Sequence, residues 1–102
     1  MVKHIVAWRL KESAHGNDKA TNARLIREKL EALRGQIPGL LHIEVGVDFS
    51  ATETSADLVL LTEFESRADL ATYYPHPAHQ AVAAFVREAV CERRLIDYEI
   101  TP

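Results

Sequence analysis

The chain carries one cysteine, Cys91, so no internal disulfide can form, and the pattern suits a reducing compartment. It has no apolar run approaching the ~18 residues that a bilayer span requires, and none of its segments reads as membrane-crossing. Its start enters a strand pattern at once, with no charged region followed by an apolar block and a cleavage site. The expectation is a cytoplasmic protein. Charge of one sign is lacking too: 12 Lys and Arg are interspersed with 15 Asp and Glu, for a net charge of -3. Without a basic run, nucleic acid and anionic membranes are not expected partners. Glycine is sparse, and its four copies form neither a phosphate-cradling loop nor a G-x-S-x-G elbow. Metal-ligand clusters are missing as well. His76 and His79 are three apart, but Pro77 between them makes His76 a cap rather than a helical ligand. No metal and no cofactor is expected.

What remains is an ordinary globular composition, 47% apolar and 26% charged over 102 residues. That is one domain, residues 1–102, and a chain of this size buries only about two-thirds of its unfolded surface. Stability is expected to be modest unless a second chain covers more apolar area.

Hydrophobic period orders the elements. Val2, His4, Val6, Trp8 and Leu10 alternate with Lys3, Ile5, Ala7 and Arg9, which reads as a strand with apolar residues on both faces. A loop with Gly16 and Asn17 follows, then a helix capped by Asp18 whose Ala23, Ile26, Leu30, Leu33 and Ile37 form one stripe. Gly35 and Pro38-Gly39 stop it. Two strands come next, 40–49 and 57–65, and Leu58-Val59-Leu60-Leu61 reads as buried on both sides. Ser66 to Asp69 has the form of a capping box and opens a short helix ending at Pro75. Pro77 suits the first position of another helix, in which His79, Val82, Val86 and Val90 share a face. Residues 95–100 close as the last strand.

The order β-α-β-β-α-α-β predicts an α+β, ferredoxin-like fold: a four-stranded antiparallel sheet with its helices on one face. The other face would be bare yet apolar, which predicts a symmetric homodimer packed sheet to sheet.

The opening Val2-Lys3-His4-Ile5-Val6, the Ile37-Pro38-Gly39 turn, Asp57-Leu58-Val59-Leu60 with Glu63-Phe64, His76-Pro77-Ala78-His79 and the closing Asp97-Tyr98 resemble the stress-responsive A/B barrel (Dabb) family in order, over nearly the whole chain. The resemblance implies a dimeric α+β barrel. It implies little about activity, since most members have no assigned reaction; the family includes heat-stable stress proteins and a plant polyketide cyclase that closes a linear chain by aldol condensation. The cyclase's first-strand histidine, last histidine and pocket tyrosine match His4, His79 and Tyr73. Its second pocket tyrosine has no counterpart in Arg24-Leu25-Ile26-Arg27, a departure that bears on substrate preference.

His79 in the first turn of a helix is disfavoured as a cation by the helix dipole and by an apolar surround, which suits a neutral general base. The plain alternative is a core histidine satisfied by backbone. His4 would be a second catalytic wall, or else a half-buried strand residue. Tyr73 and Tyr74 diverge by about 100° on a helix, so one faces a pocket, and the resemblance selects Tyr73. Trp8 and Phe85 are carried as ligand-binding candidates, with the core as the simpler home for each. Cys91 shows no activating neighbour, and Asp97 with Glu99 reads as a solvated pair. The leading expectation is a pocket for a small aromatic or polyketide-like molecule, with His79 as base. Its rivals are a non-enzymatic structural oligomer and, by analogy of fold alone, a small monooxygenase or haem-binding protein.

Overall fold

The computed structural model describes residues 1–101 and has the predicted fold. Strand β1 (Val2–Leu10) leads into a two-residue hairpin, β2 (Ser13–Ala14) and β3 (Asn17–Asp18). Helix α1 (Lys19–Glu31) and strands β4 (Leu40–Val47) and β5 (Leu58–Phe64) follow, then α2 (Arg67–Tyr73), α3 (Pro77–Ala89) and β6 (Val90–Glu99). The four long strands form one sheet in the order β4-β5-β1-β6, every pairing antiparallel.

Local chemistry sets most boundaries where the sequence places them. The Asp18 carboxylate accepts from the Thr21 amide to cap α1. Ser66 accepts from the Asp69 amide to cap α2. Pro77 opens α3, and the ring of His76 accepts from the Ala78 amide. Gly39 has φ +83, and a Cβ there would run into the Asp69 side chain, so the Pro38-Gly39 turn admits nothing larger.

Four expectations are corrected. The loop after β1 is a hairpin: His15 and Gly16 both have positive φ, 55° and 75°, the backbone that a two-residue turn of this hand demands. The helical stripe outlasts its helix, because α1 stops at Glu31 while Leu33 and Ile37 stay buried from the turns that follow. The last strand begins at Val90, directly after α3, and not at Leu95. Its opening Val90-Cys91-Glu92-Arg93-Arg94 is too polar to show a strand period, and ladder pairing with β1 decides the matter. Cys91 therefore sits exposed on β6.

The fourth correction concerns β5. Leu58 and Leu60 are buried against the helices, but Val59, pointing the other way, is 39% exposed. Residues opposite each other in an antiparallel ladder share a face, so the register sorts the whole sheet. Val2, His4, Val6 and Trp8, with Leu58, Leu60, Thr62 and Phe64, face the helices. Ile5, Ala7, Val59, Leu61, Ile96 and Tyr98 face the open side. The core is thus one-sided, built from the helix-facing rows and the apolar stripes of α1 and α3.

Candidate active site

Pro75 forces a break after α2, and the carbonyls at that helix end need donors. The next helix supplies them. The Tyr74 carbonyl accepts from His79 Nδ1 at 2.9 Å and from the Gln80 side-chain amide at 2.6 Å. Capping thereby fixes the His79 ring: Nδ1 must carry the proton it donates, and Nε2 is left with the lone pair. The plain alternative, a histidine satisfied by backbone, describes Nδ1 and leaves Nε2 to the cleft.

His4 reaches a similar state by another route. At 2% exposure it lies on the helix-facing row of β1, and its partner across the β1–β6 ladder is Asp97. The Asp97 carboxylate lies 2.6 Å from His4 Nδ1. Nδ1–H donates to it, and Nε2 again keeps the lone pair. The Tyr74 hydroxyl lies 3.4 Å from the same Nδ1, a weaker second contact.

Both imidazoles are held below the ordinary histidine range. For His4 the cause is burial, partly offset by the hydrogen bond and charge of Asp97, with Arg93 acting to lower it further. For His79 burial again leads; the bond to Tyr74 opposes it, and the charges of His4, Arg87 and Arg93 add to it. Two neutral bases therefore share one site at pH 7.

Tyr73 completes the group. Its ring centroid lies 4.2 Å from that of His79 and 6.0 Å from that of His4. It is fully buried, and its hydroxyl is the one buried side-chain polar atom among the described residues without a hydrogen-bond partner. A phenol left unpaired in a core costs free energy, and this one keeps its hydrogen free to donate. Burial pushes its ionisation far up, which keeps the hydroxyl a donor.

These three side chains line a cleft of about 600 Å³ between the sheet, α3 and the start of β6. Val6, Trp8, Leu60, Ala83, Val86 and Val90 give it apolar walls. Gln80, Arg87, Cys91, Glu92 and Arg93, all exposed, form the mouth. Trp8 thus meets the cleft as well as the core. Phe85 does not, and the ligand-contact expectation for it is corrected: its ring stacks on His15 at 3.9 Å, with Lys29 Nζ 4.8 Å above it, and clips the β2–β3 hairpin to α3. Tyr74, expected to turn away from the pocket, and Asp97, expected to be solvated, both join the site. Among the described residues no group of three His, Cys, Asp or Glu side chains is arranged for a metal ion, and no helix is long and apolar enough to cross a membrane.

A family model described as the stress responsive A/B barrel domain matches residues 2–100. A dimeric protein of unknown function and ferredoxin-like fold from Bacteroides fragilis is 31% identical, with a TM-score of 0.85 over 97% of this chain and 95% of that one. A hydroxynitrile lyase from Passiflora edulis is 19% identical, with a TM-score of 0.81 over 98% and 93%. An antibiotic biosynthesis monooxygenase is 17% identical, with a TM-score of 0.71 over 100% of both chains. At those identities the last two show the fold alone. No protein of curated function matches the chain in sequence.

Proposed function

The chain belongs to the stress responsive A/B barrel domain family, and on that premise we propose that its cleft binds a small aryl or polyketide-like ketone and removes a proton from the carbon beside the carbonyl. One observation carries this reading: two neutral imidazoles, each with Nδ1 tied down, share a cleft with an unpartnered buried phenol. The phenol of Tyr73 donates to the carbonyl oxygen and holds the charge that develops there as the enolate forms. A histidine Nε2 takes the proton.

The resemblance assigns that step to His79. The carboxylate beside His4 favours His4 instead, because Asp97 stabilises an imidazolium that His79, bonded to a neutral carbonyl and close to two arginines, lacks the means to hold. His79 then serves as the second acceptor, orienting an enol or hydroxyl of the substrate. Attack of the enolate on a second carbonyl of the same molecule would close a ring, the cyclase version of this chemistry.

The open sheet face gives the assembly. Val59, Ile96 and Tyr98 are 39%, 58% and 42% exposed there, flanked by half-buried Ile5, Ala7 and Leu61. Lys3–Glu63 and His42–Glu44 pairs lie at the rim. A second copy packed sheet to sheet covers this apolar centre, as the dimeric relative from Bacteroides fragilis supports. A purely structural oligomer would explain this face and leave the cleft's unpaired hydroxyl without a role. The monooxygenase reading has only the shared fold in its favour.

The test is solvent-deuterium exchange, followed by NMR, beside the carbonyl of aryl ketones incubated with the dimer. Wild-type protein is expected to accelerate exchange, and His4→Ala to cost about a hundredfold or more. Exchange at the uncatalysed rate with every ketone, or rates untouched in both His4→Ala and His79→Ala, would sink the reading.

A further inference from the structure

Two arginines at the cleft mouth have no partner among the described residues. Arg9 reaches the Ser55 carbonyl, Arg34 the Ile43 carbonyl and Arg94 the Arg93 carbonyl. Arg24, Arg27 and Arg67 reach Glu28, Glu31 and Glu99. Arg87 and Arg93 are the exceptions: among the described residues neither guanidinium meets a protein oxygen, and both line the same cleft. Arg93 pairs with Trp8 across the β1–β6 ladder, so it stands on the helix-covered row with His4 and Asp97 and not on the open face. Arg87 projects from α3 two turns beyond His79. The one carboxylate in the lining, Glu92, pairs in register with Arg9.

Resting on the reading that the cleft holds a ketone, we propose that its substrate also bears a carboxylate, which Arg93 and Arg87 hold at the mouth while the carbonyl lies against Tyr73 and the histidines. A guanidinium matches a carboxylate through two parallel hydrogen bonds, so it fixes orientation as well as position. The apolar walls then take the aryl or alkyl body between the two polar ends. A keto acid fits this division, whereas a neutral ketone leaves the mouth unused.

Binding the anion also prepares the chemistry. The positive charges of Arg93 and Arg87 bear on His79, and that of Arg93 on His4. A bound carboxylate neutralises them, so both imidazoles become better proton acceptors when substrate arrives.

Two probes separate the possibilities: 4-oxo-4-phenylbutanoate and its methyl ester, titrated into the protein by calorimetry at low and at high salt. The acid is expected to bind about tenfold tighter or better at low salt, with the advantage shrinking as salt screens it. Arg87→Gln/Arg93→Gln is expected to erase the preference, and Arg24→Gln/Arg27→Gln, which removes the same charge from the wet side of α1, to preserve it. An ester bound as tightly as the acid would overturn the proposal. So would a preference that survives Arg87→Gln/Arg93→Gln, or binding of neither probe. Deuterium exchange on the same pair distinguishes the two levels: exchange of both probes at equal rates ends the carboxylate inference alone, and exchange of neither ends the ketone reading with it.

Discussion

The two faces of this sheet are made from the same strands and share the same alternation, yet they carry different business. On β1, His4, Val6 and Trp8 point to the helices while Ile5 and Ala7, their immediate neighbours, point away. The helix side encloses titratable groups at low exposure, where burial and a few chosen hydrogen bonds set protonation. The open side presents apolar residues at 39–58% exposure with charged pairs at the rim, where area and not chemistry is on offer. A one-residue shift in register would exchange the two roles. One feature, the phase of the β1 pattern, sets which residues enter the cleft and which stand on the open face.

The largest effect is expected at Ile96. Replacing it with Glu puts a charge at the apolar centre of the open face, and the dimer should weaken by about a hundredfold or more in dissociation constant. Sedimentation velocity across a dilution series checks this; a dimer as tight as wild type would move the interface elsewhere. On the other face, Asp97→Asn should slow proton exchange by roughly ten- to a hundredfold, by removing the carboxylate that holds the His4 imidazolium. Steady-state kinetics should place the loss in kcat more than in KM, with the pH profile for His4 moved to lower pH.

Tyr73→Phe separates stability from function on the helix side. Deleting an unpaired buried hydroxyl should stabilise the free protein by about 1 kcal/mol in urea unfolding, while proton exchange slows. A destabilised variant would mean that the hydroxyl has a partner within the fold.

The smallest effect is on pH. Folding holds His4 and His79 below their ordinary value of 6.5, so the unfolded chain binds more protons just below that pH. Their contribution to stability is therefore present above pH 6.5 and is lost as pH falls through their lowered folded values. Thermal unfolding midpoints should drop between pH 7.5 and mildly acid conditions, and less so in His4→Ala/His79→Ala.

The sequence exposed much of this because most of it is local. The alternation of β1 put His4 and Trp8 on one face, Asp18 and Ser66 marked two helix starts, and Pro77 placed His79 in a first turn. What stayed hidden was long-range or polar. Asp97 meets His4 across 93 positions of chain, through a register that nothing near Asp97 announces. The start of β6 is concealed by charged Glu92, Arg93 and Arg94, and with it the arginine that faces the cleft. Phe85 reads from its helix as a core residue or a ligand contact, but its partner His15 sits on a hairpin created by a turn with two positive φ angles. The choice between the tyrosines was a false one, since Tyr73 brings its hydroxyl and Tyr74 its carbonyl to the same site.

The chemistry of the cleft rests on two histidines kept neutral with Nε2 free for a proton. Long-range proton–nitrogen correlation NMR on the uniformly ¹⁵N-labelled protein at pH 7 reads that directly. Both His4 and His79 are expected as neutral rings protonated at Nδ1. An imidazolium at either position, or a proton on either Nε2, would contradict it.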